Sequence, residues 1–526
     1  MKKTVLGFLF LMMLFAVIGC GQTSTTTTGS SGTTTTTTSG NGSTSTTTTS
    51  SGTTTSTTPT ITTTKTFAPT FWDADANGIE DWTETPITLT YSTWQHTSMD
   101  IVTIESLMLQ EFMRRYPNIT VEIQIMGASS EEWDANFVAA SESGTLPDVF
   151  LVNRIASFLP YNILADITDF YDNDPDTDYL FDSVQELGMY KGIRYAIPTF
   201  IYPTMWIVNL DILEAAGVGI PGYDWTVEQM LAIAQATTNE TTHIIGLYGA
   251  DFFNRELPKV LKLRTATNPE DLAVAQGWQS YSFDGAQFHF DDPVFLSAMT
   301  MLRSAVDGGY CIDMLSEATL EEWYLDPTFV PTYNGKVAMW RTASWAAKDH
   351  FDEMLFNWDI YPGPSGITGG NTDIAGISST CENKAAAYQL LKWMSYSEEG
   401  LLARYQIYED YADQVYISAN NYGYPVVDYG IDSYGNNLVW ETIPYGEMAP
   451  GFTSPEFIES LRNGAYWVNK ETVGWDAAHS VVWQYLYQVL IGETTYAAIS
   501  ETMQTEAMTA FNNARAALDA LIADLN

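Results

Sequence analysis

The chain is 526 residues long and carries 64 Asp and Glu against 22 Lys and Arg, a formal net charge of −42. That balance argues against nucleic acid as a partner, because there is no basic patch to meet phosphate; acidity of this size speaks of solubility and mutual repulsion rather than of fold. Aromatic residues make up 13% of the chain, so aromatic surface must lie in large cores or in a binding cleft.

The chain opens MKKTVLGFLFLMMLFAVIGCGQ. Lys2 and Lys3 precede an apolar run from Val5 to Ile18, which is shorter than the about 20 residues a bilayer span needs. Residues 1–19 therefore read as a signal peptide. Val17-Ile18-Gly19-Cys20 resembles a bacterial lipobox, which implies cleavage before Cys20 and lipidation of its thiol; the alternative is an ordinary signal peptide with a chance cysteine. Such a lipid would anchor the protein to the outer face of the cytoplasmic membrane without a spanning helix. Residues 20–66 supply the lipidated Cys and a Thr/Ser/Gly-rich linker with too little apolar area to fold. As a flexible tether it reaches roughly 40 Å, and its threonines are of a kind that can carry O-linked sugars.

Residues 67–86 contain DADANGIEDWTE. Counted from Asp73, oxygen ligands fall at positions 1 (Asp73), 3 (Asp75), 5 (Asn77), 9 (Asp81) and 12 (Glu84), with Gly78 at the sharp turn and the Ile79 carbonyl at 7. This is the spacing of a Ca²⁺ loop. Glu80 stands where an apolar residue is usual, and the flanks contain proline, so paired EF-hand helices are not expected. The segment reads as a structural Ca²⁺ collar between tether and folded domain, with a solvated acidic linker as the alternative.

About 450 residues remain, too many for one core and natural for two domains. ITLTYSTW (87–94) alternates like a strand, and Ile101, Ile104, Met108 and Phe112 form a helical stripe that ends by Pro117. ITVEIQIM (119–126) predicts a strand, SEEWDANFVAASESG (130–144) a helix, and DVFLV (148–152) a strand apolar on both faces, as in a buried parallel sheet. DWTVEQMLAIAQATT (224–238) opens with a capping box, Thr226 and Gln229. IIGLYGA (244–250) is a further buried strand, Asp284-Gly285 within 280–290 signals a hairpin, and an Ala-rich helix spans about 497–523. The class is α/β with a parallel-rich sheet and no repeats.

Several stretches together resemble extracellular solute-binding proteins of ABC importers, the large sugar-binding group related to maltose-binding protein. They are EFMRRYPNITVEIQ, GTLPDVFLVNRIASFLPYNILADITDFYD, YKGIRYAIPTFIYPTMWIVNLDILEAAGV with DWTVEQMLAIAQ, YNGKVAMWRTASWA, WDIYPGPSG, and TDIAGISSTCENKAAAYQLLKWMSYSEEG, in matching order across roughly 87–526. The resemblance implies a two-lobe periplasmic-binding-protein fold of type II, with ligand held between lobes that close about a hinge. It places chain crossings near 200–204, 372–376 and 418–426, lobe one at 87–200 plus 375–418, and lobe two at 204–372 plus 426–526. Cys311 and Cys381 then fall in different lobes, and both are expected to be free, buried thiols.

A sugar offers apolar C–H faces and a rim of hydroxyls, so its site needs flat aromatics and directional polar groups. In open α/β sheets ligand sits beyond the carboxyl ends of the strands. Trp94 follows the first strand and Asn153 and Arg154 follow the third; Tyr202 and Trp206 flank the first crossing; Asp251 follows strand 244–250. Trp345 matches the position of a stacking tryptophan in the maltose-binding group, with Trp340 and Arg341 nearby, although Thr342-Ala343-Ser344 departs from the Gly- or Pro-rich segment usual there. Trp440 completes the set. Each tryptophan has a second reading as core, and Arg154 a second reading as partner of a surface carboxylate.

The resemblance implies a monomeric chain that performs no catalysis, captures a carbohydrate (an oligosaccharide by expectation) and delivers it to membrane permease subunits. A lipid-anchored glycosidase would need two carboxyl groups roughly 5–9.5 Å apart across a scissile bond. No nucleophile elbow, HExxH or phosphate loop stands in the sequence. A surface adhesin would suit the stalk and the Ca²⁺ loop but not the two-lobe pattern.

Overall fold

The computed structural model describes residues 68–127, 130–346, 351, 353–411, 423–430, 437–444, 449–468 and 472–523. The signal peptide, Cys20 and the tether lie outside the described residues. Strand β1 (Ile87–Ser92) buries Ile87, Leu89 and Tyr91 and leaves Thr88 exposed, as its alternation predicts. It pairs in parallel with β2 (Ile119–Ile123) and β3 (Val149–Val152). The helix Ile104–Arg115 begins on a capping box of Thr103 and Ser106 and buries Met108, Leu109 and Phe112. All four residues of β3 are buried, as DVFLV requires of a strand covered on both faces.

After a short hairpin, β4 (Met189–Tyr190) with β5 (Ile193–Arg194), the chain enters β6 (Ala196–Asn209), all fourteen residues of which are buried. The second lobe adds β7 (Ile245–Tyr248), β8 (Cys311–Ile312) and β9 (Val337–Ala343), with β7 parallel to both neighbours. Its helix Val227–Thr237 starts on the capping box predicted from Thr226 and Gln229. At Asp284-Gly285 the turn forms, with Gly285 at φ 93°, but the flanking strands shrink to one bridge, Phe283–Phe288. The reason is packing: Phe283, Phe288 and Phe290 all turn into the core.

β10 (Trp358–Tyr361) pairs with the end of β6, and β11 (Gly369–Ile377) runs antiparallel between β3 and β6. β12 (Tyr424–Pro425) joins β6, and β13 (Ala465–Tyr466) joins the start of β11. The main path is β2-β1-β3-β11-β6-β9-β7-β8. β6 is the seam: residues up to Pro203 pair with β11, and Thr204 to Val208 pair with β9.

The result is two α/β lobes, each a parallel-rich sheet flanked by helices. One core gathers β1, β2, β3 and the helices Lys384–Ser395 and Glu398–Asp410. The other gathers Trp206, Trp225, Phe253, Phe295 and Trp475. Cys381 lies in the first and Cys311 in the second, both buried and unbridged; burial pushes both thiols up to about 12. One expectation needs correcting. The third crossing was expected near 418–426, partly outside the described residues, with 426–526 in lobe two. Instead Val439, Trp440, Ile443, Phe452, Phe457 and Leu461 pack with the first core, and the chain reaches the second only at Ala465 and Val468.

The C-terminal helix Tyr496–Ala523 spans both cores. Tyr496, Met503, Ala507 and Phe511 join the second, while Leu518 joins the first and Ile522 packs against it. Tyr190 Oη donates to Asp519 Oδ1 at 2.7 Å, and Lys191 Nζ lies 2.6 Å from Asp519 Oδ2.

Candidate ligand cleft

The strands deliver their carboxyl ends to the boundary between the cores, and most candidate residues stand there. Trp345 follows β9 within a short 3-10 turn, Ser344–Ala346, and is 38% exposed. Its ring meets Tyr202 at 6.2 Å and 77°, and Trp467 at 6.0 Å and 87°. Tyr202 is buried on β6, where its hydroxyl accepts from Gln95 Nε2 at 3.2 Å. Burial drives this phenol well above its usual range, with nearby Asp373 adding to the effect, so it remains neutral and able to donate.

On the facing edge of lobe one, Trp94 is partly buried and edge-on to Trp133 at 5.2 Å. Asn153 Nδ2 donates to Asp134 Oδ1 at 3.2 Å. Exposed Arg154 reaches Asp476, on the helix Trp475–Leu490 of the second lobe, at 3.1 Å. The side chains are 48% and 61% exposed, so the pair contributes at most about 1 kcal/mol. It marks how near the two lobe edges lie.

Asp251 and Arg341 form part of a charged cluster beneath the aromatic corner. Arg341 lies 2.7 Å from Asp251 Oδ1 and 2.7 Å from Glu256 Oε1, and Arg255 Nε is 3.5 Å from Asp251 Oδ2. Glu256 is 1% exposed, and burial pushes its carboxyl up to about 7 in spite of Arg341. Lys259 is equally enclosed; burial lowers its ammonium to about 7, and it donates to the Gly464 carbonyl at 2.8 Å. Glu256 lies against Gly369 of β11, where a Cβ would fall 1.8 Å from its Oε1. A side chain there would push the Glu256 carboxyl out of its place beside Arg341.

Three candidate tryptophans belong to cores. Trp206 is 1% exposed, edge-on to Trp225 and Phe252. Trp340 is 2% exposed and packs with Ile207, Ile245 and Val337. Trp440 stacks on Phe181 at 5.9 Å and donates Nε1 to the Val427 carbonyl at 2.9 Å. Sequence reasoning overlooked Trp467, Arg255, Glu256 and Asp476. The rule that favours residues just past strand ends would have found Trp467, but β13 is two residues long and carries no readable period.

The residues of the expected Ca²⁺ loop come together on lobe one. Carboxylate oxygens of Asp73, Asp75 and Asp81 lie within 4.8 Å of one another. Asp73 is 7% exposed and accepts from the backbone N–H groups of Asn77 and Gly78, at 3.1 and 2.9 Å. Asn77 Nδ2 donates to Glu84 at 2.6 Å, and Gly78 takes φ 88°. The Ile79 side chain is exposed. Trp72 and Trp82 fix the loop to the first lobe, Trp72 donating to the Asn173 carbonyl at 3.2 Å and Trp82 packing on Tyr116 at 5.0 Å.

A family model for bacterial extracellular solute-binding proteins matches residues 108–412, more than half of the chain. This chain belongs to that family. Its fold is shared with an ABC substrate-binding protein of Listeria monocytogenes, Lmo0181, in complex with cycloalternan (21% identity, 81% of this chain and 99% of that one, TM-score 0.54). It is shared also with the sugar-binding protein MalE of Xanthomonas citri (14%, 82% and 99%, TM-score 0.58). A third is the GacH receptor of Streptomyces glaucescens, studied unliganded and with acarbose (19%, 83% and 99%, TM-score 0.52).

Proposed function

We propose that this chain is the carbohydrate-binding component of an ABC importer. It captures a sugar, most simply an oligosaccharide, between its lobes and presents it to membrane permease subunits, with no bond made or broken on this chain. One observation carries the reading: Tyr202, Trp345 and Trp467 form an aromatic corner at the lobe boundary with polar groups at its edges. Rings give the C–H faces of a sugar their apolar surface, and neutral donors and acceptors meet its hydroxyls. The oligosaccharide ligands of the Listeria and Streptomyces proteins support the same class.

Trp94, Asn153 and Arg154 on lobe one, with Asp251 on lobe two, remain the polar and aromatic rim in this proposal, and Arg341 supports it from beneath through Asp251; Trp206, Trp340 and Trp440 are assigned to packing. Among the described residues no helix is long and apolar enough to cross a membrane. We assign anchoring to a lipid on Cys20, and reach to the Thr-rich linker. A thermal-shift screen of the full chain against mono- and oligosaccharides tests the ligand class: a sugar at about 100 times its Kd adds ~2.7 kcal/mol. A shift with a peptide or polyamine and none with any carbohydrate would overturn it.

The collar loop is proposed as a structural Ca²⁺ site. Ca²⁺–oxygen bonds of 2.3–2.6 Å require converging oxygens, and the three carboxylates converge within 4.8 Å. Asp73, Asp75, Asn77, Asp81, Glu84 and the Ile79 carbonyl would hold the ion, which supplies charge neutralisation to an acidic turn. Calcium is expected to raise the melting temperature of the parent and to leave Asp73→Asn unmoved, while both bind sugar alike. A large loss of sugar affinity in that variant would show the loop to be part of the binding site.

A further inference from the structure

We propose that Trp467 is a specificity-determining wall of the cleft, its indole N–H donating to a ligand hydroxyl, with Arg255 as the residue that positions it. The proposal rests on reading the cleft as a carbohydrate site. Trp467 follows β13 directly, and its backbone N–H donates to the Gly370 carbonyl at 2.8 Å. That bond fixes the residue to β11 where the chain passes between lobes.

One observation separates Trp467 from the packing tryptophans, and three more describe how its ring is presented. It belongs to none of the three hydrophobic clusters among the described residues, a property it shares with Trp345. Its ring stands perpendicular to Trp345, so the two indoles form adjacent walls of one corner. The Arg255 guanidinium lies 4.2 Å from the ring centroid, a cation–π contact that fixes the ring plane. Finally, its Nε1 is shielded from solvent and has no hydrogen-bond partner, as is also true of the buried residues Trp278 and Trp340; unlike them, Trp467 stands at the corner beside Trp345.

Indole N–H is a donor only, and buried donors are rarely left unpaired. This one has company. Thr204 Oγ1, Ser344 Oγ and Asn371 Oδ1 are also buried without partners. Each sits beside the corner in the chain or the sheet: Asn371 is opposite Tyr202, Thr204 opposite Ala343, and Ser344 adjoins Trp345. These four unmade hydrogen bonds stand beside the three aromatic rings, and a polyhydroxylated ligand supplies both donors and acceptors to complete them. Arg255 is itself held by Asp251 at 3.5 Å, and Asp251 by Arg341 at 2.7 Å. Asp251 and Arg341 thereby set the plane of Trp467 through Arg255.

The test uses the full chain and the tightest-binding member of a panel of maltose, acarbose and cycloalternan, by calorimetry and thermal melting. Trp467→Phe keeps a ring and loses the N–H; it is expected to weaken binding about three- to tenfold with the melting temperature unchanged. Arg255→Met should weaken binding similarly, and Arg255→Lys should restore part of it. If Trp467→Phe binds as the parent does while Trp345→Ala loses affinity, this inference fails and the carbohydrate reading survives. If the parent binds no member of the panel, both fail.

Discussion

Replacing Trp345 with alanine is expected to weaken sugar binding about 30-fold while leaving the melting temperature within about 2 °C of the parent. The ring is 38% exposed and outside every hydrophobic cluster, so its loss opens no cavity. What it loses is a shelf: a ligand face of about 80 Å² at ~25 cal/mol per Å² is worth ~2 kcal/mol. Its only aromatic neighbours among the described residues, Tyr202 and Trp467, meet it edge to face, leaving ring surface for a ligand. Calorimetric titration beside a thermal melt decides the matter. A variant that melts far below the parent and binds normally would make Trp345 a structural residue.

Trp206→Ala is expected to do the opposite. Trp206 is 1% exposed, wedged between Trp225 and Phe252, with Arg341 and Tyr361 beside it in the flanking strands. Truncating so enclosed a ring costs ~3–5 kcal/mol through lost contacts and the cavity left behind. In a cooperative chain of about 450 folded residues that lowers the melting temperature by about 3–5 °C. At a temperature where the variant is still folded, its Kd should lie within about threefold of the parent, because a packing residue acts on the fold and not on the bound sugar. A collapsed Kd with an unmoved melt would place Trp206 in the cleft.

The contrast between these two tryptophans shows what the sequence could yield. Strands β1 and β3 were legible because burial imposes period two or continuous apolarity, and Thr226 with Gln229 was legible because a helix start needs those side chains at that spacing. A tryptophan carries no such mark. Trp206 and Trp340 lie in mid-strand and are swallowed by the cores, whereas Trp345 lies two residues past a strand and stays open; only strand limits accurate to a residue separate them. Trp467 was missed because β13 is fixed by pairing with β11 over two residues, a long-range fact with no local pattern. The pairing of Arg341 with Asp251 and Glu256, some 90 and 85 positions away, is likewise set by the fold. The third crossing was misplaced for a similar reason: the stretch from Tyr424 to Leu461 is apolar enough for either core, and β12 pairing to β6 draws it to the first.

The buried strand β6 gives its hydrogen bonds to partners in both lobes, and the C-terminal helix leaves Phe511 in one core and Leu518 in the other. Neither lobe can melt without stripping the other of a central strand and of a covering helix. In denaturant the two lobes are therefore expected to unfold as one cooperative unit, with a single transition reported alike by tryptophan emission and by far-ultraviolet dichroism. A lesion confined to one core, such as Trp206→Ala, moves that shared transition as a whole, and the lobe without the lesion loses stability with its neighbour.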